Sequence, residues 1–335
     1  PTPPPVIDDG SITVRNPDGS TVRLTVPEQQ LISVAEADQL VMALIGDRVQ
    51  IGSLQTFVTE RLRAIGTAAL QANLRQFSDS GRYRGASAGE GAAGGGLWIN
   101  VTGAYLEDKR RGAAQDGHSG ALAIGVDRVM GSTILGAYVG HSRTELDGAG
   151  VAYESEGWNG GLYASLSPAP ALRVTAAAGY GDYDVSHDRA LGGVRSIGKT
   201  GRTQTHGSIS VESPQALGDS WVVIPSVALA VSSSETDAYQ DQANRPVAGN
   251  ATDMTLISGG ASLFYTGGAW LPFVSASFNH QTNAPAGTDP DYGLLGAGLA
   301  IPVGERLSLA ITGQALVGKS REGQTTFGLT LRRAF

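Results

Sequence analysis

The chain has 335 residues, with Lys+Arg 24 against Asp+Glu 31 and no cysteine, which excludes a disulfide scaffold, a thiolate zinc site and a Cys nucleophile. A net charge of −7 and a pI near 5.3 argue against the basic face of a nucleic-acid binder, and five His leave little for a His-rich metal site. Glycine is abundant at 47 residues and mean hydropathy is −0.06, yet no stretch reads as a helical membrane span: the most apolar run, 257–278, holds four Gly and a Pro and alternates.

The chain begins at Pro1 with no visible signal peptide, the pattern of a processed product or an excised piece. Residues 1–10, PTPPPVIDDG, read as an extended linker. Two short alternating runs within 11–26 flank Asn16-Pro17-Asp18-Gly19, and the Asp-Gly pair predicts a hairpin. From 27 to 77 the period becomes helical, with Leu31, Val34, Leu40, Val41, Leu44 and Ile45 on three- and four-residue steps and Pro27 as a first-turn residue. A second helix is predicted over 53–76, carrying Leu54, Phe57, Val58, Leu62, Ile65, Ala69 and Leu74. At 1.5 Å per residue it spans roughly 36 Å, comparable to a hydrocarbon core of about 30 Å. Glu60, Arg61, Arg63 and Arg75 make lipid a poor environment for it, whereas a polar channel would accept it. Residues 78–96 are Gly/Ala/Ser-rich and read as a flexible linker and domain boundary.

Beyond Gly96 the helical period does not return. Strand candidates fall near 97–108, 117–129, 132–145, 153–167, 170–184, 200–213, 219–233, 251–265, 269–281, 291–302, 305–318 and 323–335, which makes about twelve. They are too long for the strands of an ordinary sandwich, and ten-residue alternating segments joined by turns are the signature of a transmembrane barrel. The alternation separates two faces. Leu172, Val174, Ala176, Ala178 and Tyr180 oppose Arg173, Thr175, Ala177, Gly179 and Gly181. Likewise Leu307, Leu309 and Ile311 oppose Arg306, Ser308 and Thr312, and Phe327, Leu329 and Leu331 oppose Thr326, Gly328, Thr330 and Arg332. The apolar face suits lipid. The other is largely Gly, Ala, Ser and Thr, leaving room in a twelve-stranded lumen for the 53–76 helix. Trp98, Tyr105, Trp158, Trp221, Tyr265, Trp270 and Phe335, near strand ends, are expected in interfacial girdles.

From Gly96 to Phe335 the chain resembles the translocator barrel of monomeric autotransporters (type Va secretion) of Gram-negative bacteria. The resemblance rests on Gly96-Leu97-Trp98, on 120–127 (GALAIGVD), on 136–142 (GAYVGHS), on 224–229 (IPSVAL), on 271–276 (LPFVSA) and on the closing 327–335 (FGLTLRRAF) with its aromatic end. It implies an all-β, twelve-stranded antiparallel up-and-down outer-membrane barrel over 97–335, an α-helix threading the pore, and an upstream passenger carried to the cell surface. It further implies that Phe327, Leu329, Leu331 and Phe335 form the apolar face of a signal read by the outer-membrane assembly machinery, although Arg333 stands where the family usually has a hydrophobic residue. Asp127, Arg173, Arg306 and Arg332 are the lumen-facing candidates for contacts to the helix, whose own candidates are Leu54, Phe57, Arg61, Ile65 and Leu74. Its expected partners are outer-membrane lipid, the passenger, the assembly machinery and periplasmic chaperones, with no nucleic acid, and the barrel is expected to be a monomer. Self-cleaving members cut at an Asn-Asn pair within the helix; none occurs here, so cleavage by that route is not expected.

Enzymatic readings are weaker. A barrel lipase needs a His and a Ser two apart on one face with a polar group orienting the His; His206-Gly207-Ser208 has the spacing, but no Asn follows before Asn244. Asp108 with Asp127, or Asp182 with Asp184, could serve an aspartyl-type protease, yet rim carboxylates are common in barrels. No GxSxG, phosphate loop or zinc spacing is present, so no catalytic residue and no cofactor is assigned. The expected function is anchoring and translocation; the alternatives are a stand-alone porin plugged by its N-terminal helices and a soluble β-sandwich adhesin.

Overall fold

A computed structural model describes residues 11–15, 21–25, 95–109, 115–130, 132–148, 151–169, 171–191, 194–242, 244, 246–284, 289–303, 306–319 and 321–335. The helices expected over 27–77, the 78–94 linker, and with them Leu54, Phe57, Arg61, Ile65 and Leu74, lie outside the described residues. The chain divides into two units, 1–43 and 44–335. In the first, Ser11–Arg15 pairs antiparallel with Thr21–Thr25, as the hairpin expected over 11–26 requires, while Asn16-Pro17-Asp18-Gly19 lies outside the described residues.

In the second, twelve long strands follow one another: β1 Gly95–Asp108, β2 Gln115–Met130, β3 Thr133–Gly148, β4 Val151–Ala169, β5 Leu172–Leu191, β6 Val194–Glu212, β7 Trp221–Thr236, β8 Asn250–Tyr265, β9 Leu271–Gln281, β10 Asp291–Val303, β11 Leu307–Val317 and β12 Glu322–Ala334. Each pairs antiparallel with its sequence neighbour, and β12 pairs with β1 from Glu322↔Asp108 to Ala334↔Gly96, closing the sheet into a barrel. Closure gives every strand two partners, so no row of unpaired backbone groups meets lipid. Two short additions decorate the ring: Gln215–Leu217 folds back on Trp221–Val223 through a turn with Gly218 at φ 68, where a Cβ would be strained, and Tyr239–Gln240 pairs with Pro246–Val247. No helix occurs among the described residues.

The period-two pattern dictates which way each side chain points. Outward positions carry Leu97, Ile99 and Val101 on β1, Leu122, Ile124 and Val126 on β2, and Phe327, Leu329 and Leu331 on β12, all exposed. On β7 the apolar outward series runs from Trp221 through Val227 to Val231, about 33 Å of strand; tilted by roughly 40° it rises about 25 Å, the height of an outer-membrane apolar band. Inward positions alternate with these and are buried, among them Asn100, Thr102, Ser119, Thr144, Ser165, Thr175, Gln204, Ser232 and Ser234.

The two ends of the barrel differ. Gly95, Phe335, Thr133 and Leu172 lie at one end, the terminal end; Asp108, Thr236 and Gln281 lie at the other, the loop end. The strands β3 to β6 have 16, 19, 20 and 19 residues, against 11 to 13 for β9 to β12, so one wall extends further at the loop end.

Candidate functional site

The lumen holds the chemistry. Near the end shared by Gly95 and Phe335, inward alternation on β1, β3 and β4 brings together Trp98, Ile134, Tyr138 and Tyr163, all buried. Trp98 packs tilted against Tyr138 and Tyr163, each with ring centroids 6.5 Å away. Trp98 Nε1 donates to the Tyr163 hydroxyl at 2.9 Å, and Tyr163 donates in turn to Asp127 Oδ2 at 3.1 Å. The other carboxylate oxygen, Oδ1, accepts from Arg332 Nη2 at 3.4 Å, with the Asp127 side chain fully buried and that of Arg332 17% exposed. A carboxylate removed from water this completely needs both partners.

These rings fit because glycines lie beneath them. A Cβ on Gly125 would sit inside the Trp98 ring, one on Gly136 inside the Tyr163 ring, and one on Gly161 would lie 2.8 Å from Tyr138 Cε1. The inward face is therefore not lined by small residues alone, as composition had implied. Small residues and large rings alternate across neighbouring strands, and the rings occupy the space that the glycines leave. Further along, Tyr138 shares a 2.9 Å hydrogen bond with His206 Nε2, Arg202 Nη1 donates to Tyr153 at 3.1 Å while its guanidinium lies 5.4 Å from the Tyr183 ring centre, and Gln204 donates to Ser232 at 3.1 Å. On the opposite wall Val222, Ile224, Phe264 and Phe273 form an apolar inward patch, with the two Phe rings stacked at 4.9 Å.

Of the four charges assigned to the lumen, Asp127 and Arg332 are brought together, and Arg173 lies 3.7 Å from buried Glu212 on the adjacent strand. Arg306 is not with them. It stands exposed in the turn before β11, because the strand starts at Leu307, two residues later than the expected 305. Trp98 is likewise inward, 1% exposed, and takes no part in an outer girdle. Trp221, Trp270 and Phe335 do face outward at the terminal end, where Trp221 packs edge-on against Tyr265 at 5.1 Å. Local sequence does not mark Tyr138, Tyr163, Arg202 or Glu212 as lumen residues, whereas parity places Trp98 on the same face as Asn100 and Thr102.

His206, the histidine of the lipase-type spacing, shares its Nε2 hydrogen bond with the Tyr138 hydroxyl, and no cluster of three or more His, Asp or Glu that could hold a metal occurs among the described residues. Phe327, Leu329, Leu331 and Phe335 share the outward face of the last strand and its end, with Phe335 68% exposed.

A closed antiparallel barrel with an outward apolar belt and an inward polar, charge-bearing wall is a transmembrane β-barrel of the outer-membrane type. Residues 97–314 match the family model described as Autotransporter beta-domain, and the chain belongs to that family. It is an outer-membrane translocator for a passenger. Solved structures share the fold. The β domain of the Bordetella autotransporter BrkA is 18% identical with a TM-score of 0.63, over 72% of this chain and 100% of that one. The translocator domain of NalP from Neisseria meningitidis is 13% identical with a TM-score of 0.65, over 84% and 99%. The transport unit of AIDA-I from Escherichia coli is 13% identical with a TM-score of 0.59, over 81% and 99%. No curated protein sequence matches the chain.

Proposed function

We propose that this barrel anchors in the Gram-negative outer membrane as a non-catalytic monomer, and that residues 53–76 occupy its lumen while a passenger joined on the N-terminal side reaches the surface. In this arrangement residues 1–26 form a linker and hairpin, 27–77 the helical segment, 78–94 a flexible connection and 95–335 the barrel, whose first strand takes in Gly95 and Gly96 of the 78–96 linker expected from sequence. The observation that carries the reading is the mixed character of the inward wall. A polar and ionic stretch at Asp127, Arg173, Glu212 and Arg332 faces the lumen, as does an apolar patch at Val222, Ile224, Phe264 and Phe273. A helix over 53–76 carries both kinds of side chain to meet them, the charges Glu60, Arg61, Arg63 and Arg75 and the apolar Leu54, Phe57, Ile65 and Leu74. Asp127, Arg173 and Arg332 are its proposed polar contacts. Phe327, Leu329, Leu331 and Phe335 are proposed as the signal read by the barrel assembly machinery, with periplasmic chaperones holding the chain beforehand.

Single-channel conductance in a planar bilayer tests the lumen assignment. The whole chain is expected to pass a low or flickering current, and a chain lacking residues 1–77 a large and steady one. Large, steady current from both would mean that the segment does not occupy the lumen, and would favour an open porin.

A further inference from the structure

We propose that Gly95 and Gly96 are the seats of a two-way register stop, in which Phe335 rests on the first and the Arg332–Asp127 pair crosses the second, so that the last strand closes on the first in one alignment only. The need for such a stop follows from the sheet itself. A slip of β12 against β1 by one residue would turn Phe327, Leu329 and Leu331 into the lumen, and the apolar pattern forbids it. A slip by two residues, about 6.7 Å, keeps every side chain on its face and changes only the shear of the barrel. Neither alternation nor the backbone ladder distinguishes that alignment from the native one.

The side chains at the seam do distinguish it. Natively Arg332 is paired with Trp98, and its guanidinium reaches diagonally past Gly96 to Asp127 on β2, skipping a strand. A Cβ on Gly96 would lie 2.7 Å from Arg332 Nη2 and 2.9 Å from Asp127 Oδ1, so the crossing exists only because that residue has no side chain. If β12 slips so that Arg332 faces Asn100, the residue beneath the guanidinium becomes Trp98, whose indole is held by Tyr163, and Asp127 is out of reach. If β12 slips the other way, Phe335 is carried past Gly95. In the native alignment its ring lies where a Cβ on Gly95 would be 2.6 Å from Cε2, and its N–H donates to the Gly95 carbonyl at 3.0 Å, so this slip gives up both contacts. Asp127 is itself fixed by Tyr163, and Tyr163 by Trp98. The stop on the lumen side is thus a ring of side chains from β12, β2, β4 and β1.

The chain has no cysteine, so paired thiols introduced at the seam report alignment without background. Directly opposed Cβ atoms lie about 4.5–5.5 Å apart and the next pair about 7–8 Å, so a short thiol crosslinker separates them. Cys at 331 and 99 reports the native register, at 331 and 101 the first slip, and at 331 and 97 the second. The full chain is refolded in detergent micelles, where no assembly machinery reads the strand, so failure of the proposed signal does not affect the outcome. Arg332→Ala and Asp127→Asn are each expected to raise the 331–101 product about tenfold, and Gly95→Ala, which displaces Phe335, to raise the 331–97 product. Gly96→Ala, which leaves both charges in place, is expected to act as Arg332→Ala does, and decides the matter should that variant not fold. Folded variants that keep only the 331–99 crosslink, including variants folding in lower yield, would overturn the proposal.

Discussion

The walls β3–β6 and β9–β12 belong to one barrel and meet the same bilayer, yet they end differently. On β9–β12 the strands stop soon after the apolar belt does. On β3–β6 they run on, and the outward face changes character at the point where lipid ends: Leu135 and Val139 give way to His141, Arg143 and Glu145, Leu166, Leu162 and Trp158 to Glu156 and Glu154, and Tyr180 to Asp182 and Asp184. Arg143 lies 2.6 Å from Glu145 and 2.8 Å from Glu154, and His141 stacks edge-on to Trp158 at 4.9 Å. The inward face shows no such change, since Tyr153, Tyr183 and Val185 remain buried in the upper part of the tall wall. Lipid therefore dictates outward residue type only over its own thickness, whereas the lumen dictates inward packing along the whole strand.

The contrast can be broken most severely by a charge on the belt. Leu295→Arg on β10 should cost about 2–4 kcal/mol, while Asp184→Arg on the extended part of β5 should change stability by no more than about 0.5 kcal/mol. Denaturant titration of folding into lipid vesicles compares them, and equal losses would mean that the extended part is also in lipid. A smaller effect is expected from the lumen side, and it should be the same on both walls. Gly136→Ala on β3 places a methyl inside the Tyr163 ring and Gly298→Ala on β10 places one inside the Phe273 ring, so each should cost about 1–3 kcal/mol. A loss on one wall alone would show that the interiors differ as the exteriors do. Smallest is Arg143→Ala, expected to cost at most about 1 kcal/mol and to fade with added salt, because this ion-pair cluster is half-exposed.

This difference also explains what could be read from the sequence. Twelve strands and their two faces were legible wherever a Leu, Val or aromatic series alternated with small or polar residues. The upper ends of β5 and β6 were not: the pattern placed them at 184 and 200, and the strands reach 191 and 194. Above the bilayer the outward face is polar and the inward face mixes residues such as Val185 and His187, so period two carries little contrast there. The site was legible by charge, in Asp127 and Arg332, but not by partnership. Nothing in local sequence joins residues separated by 205 positions, or places Gly96 beneath them. Trp98 shows the opposite failing, since its residue type pointed to the membrane surface when its parity already pointed inward.

The pairing of β12 with β1 also has a consequence in time. Ring closure joins residues such as Asn100 and Thr330, 230 positions apart, and it cannot begin until β12 is present. Until then β1 and the strand most recently added each present a raw edge, open to any other strand in the periplasm. The arrival of β12 removes both edges at once. Every earlier stage of the protein's life is that of an unfinished sheet.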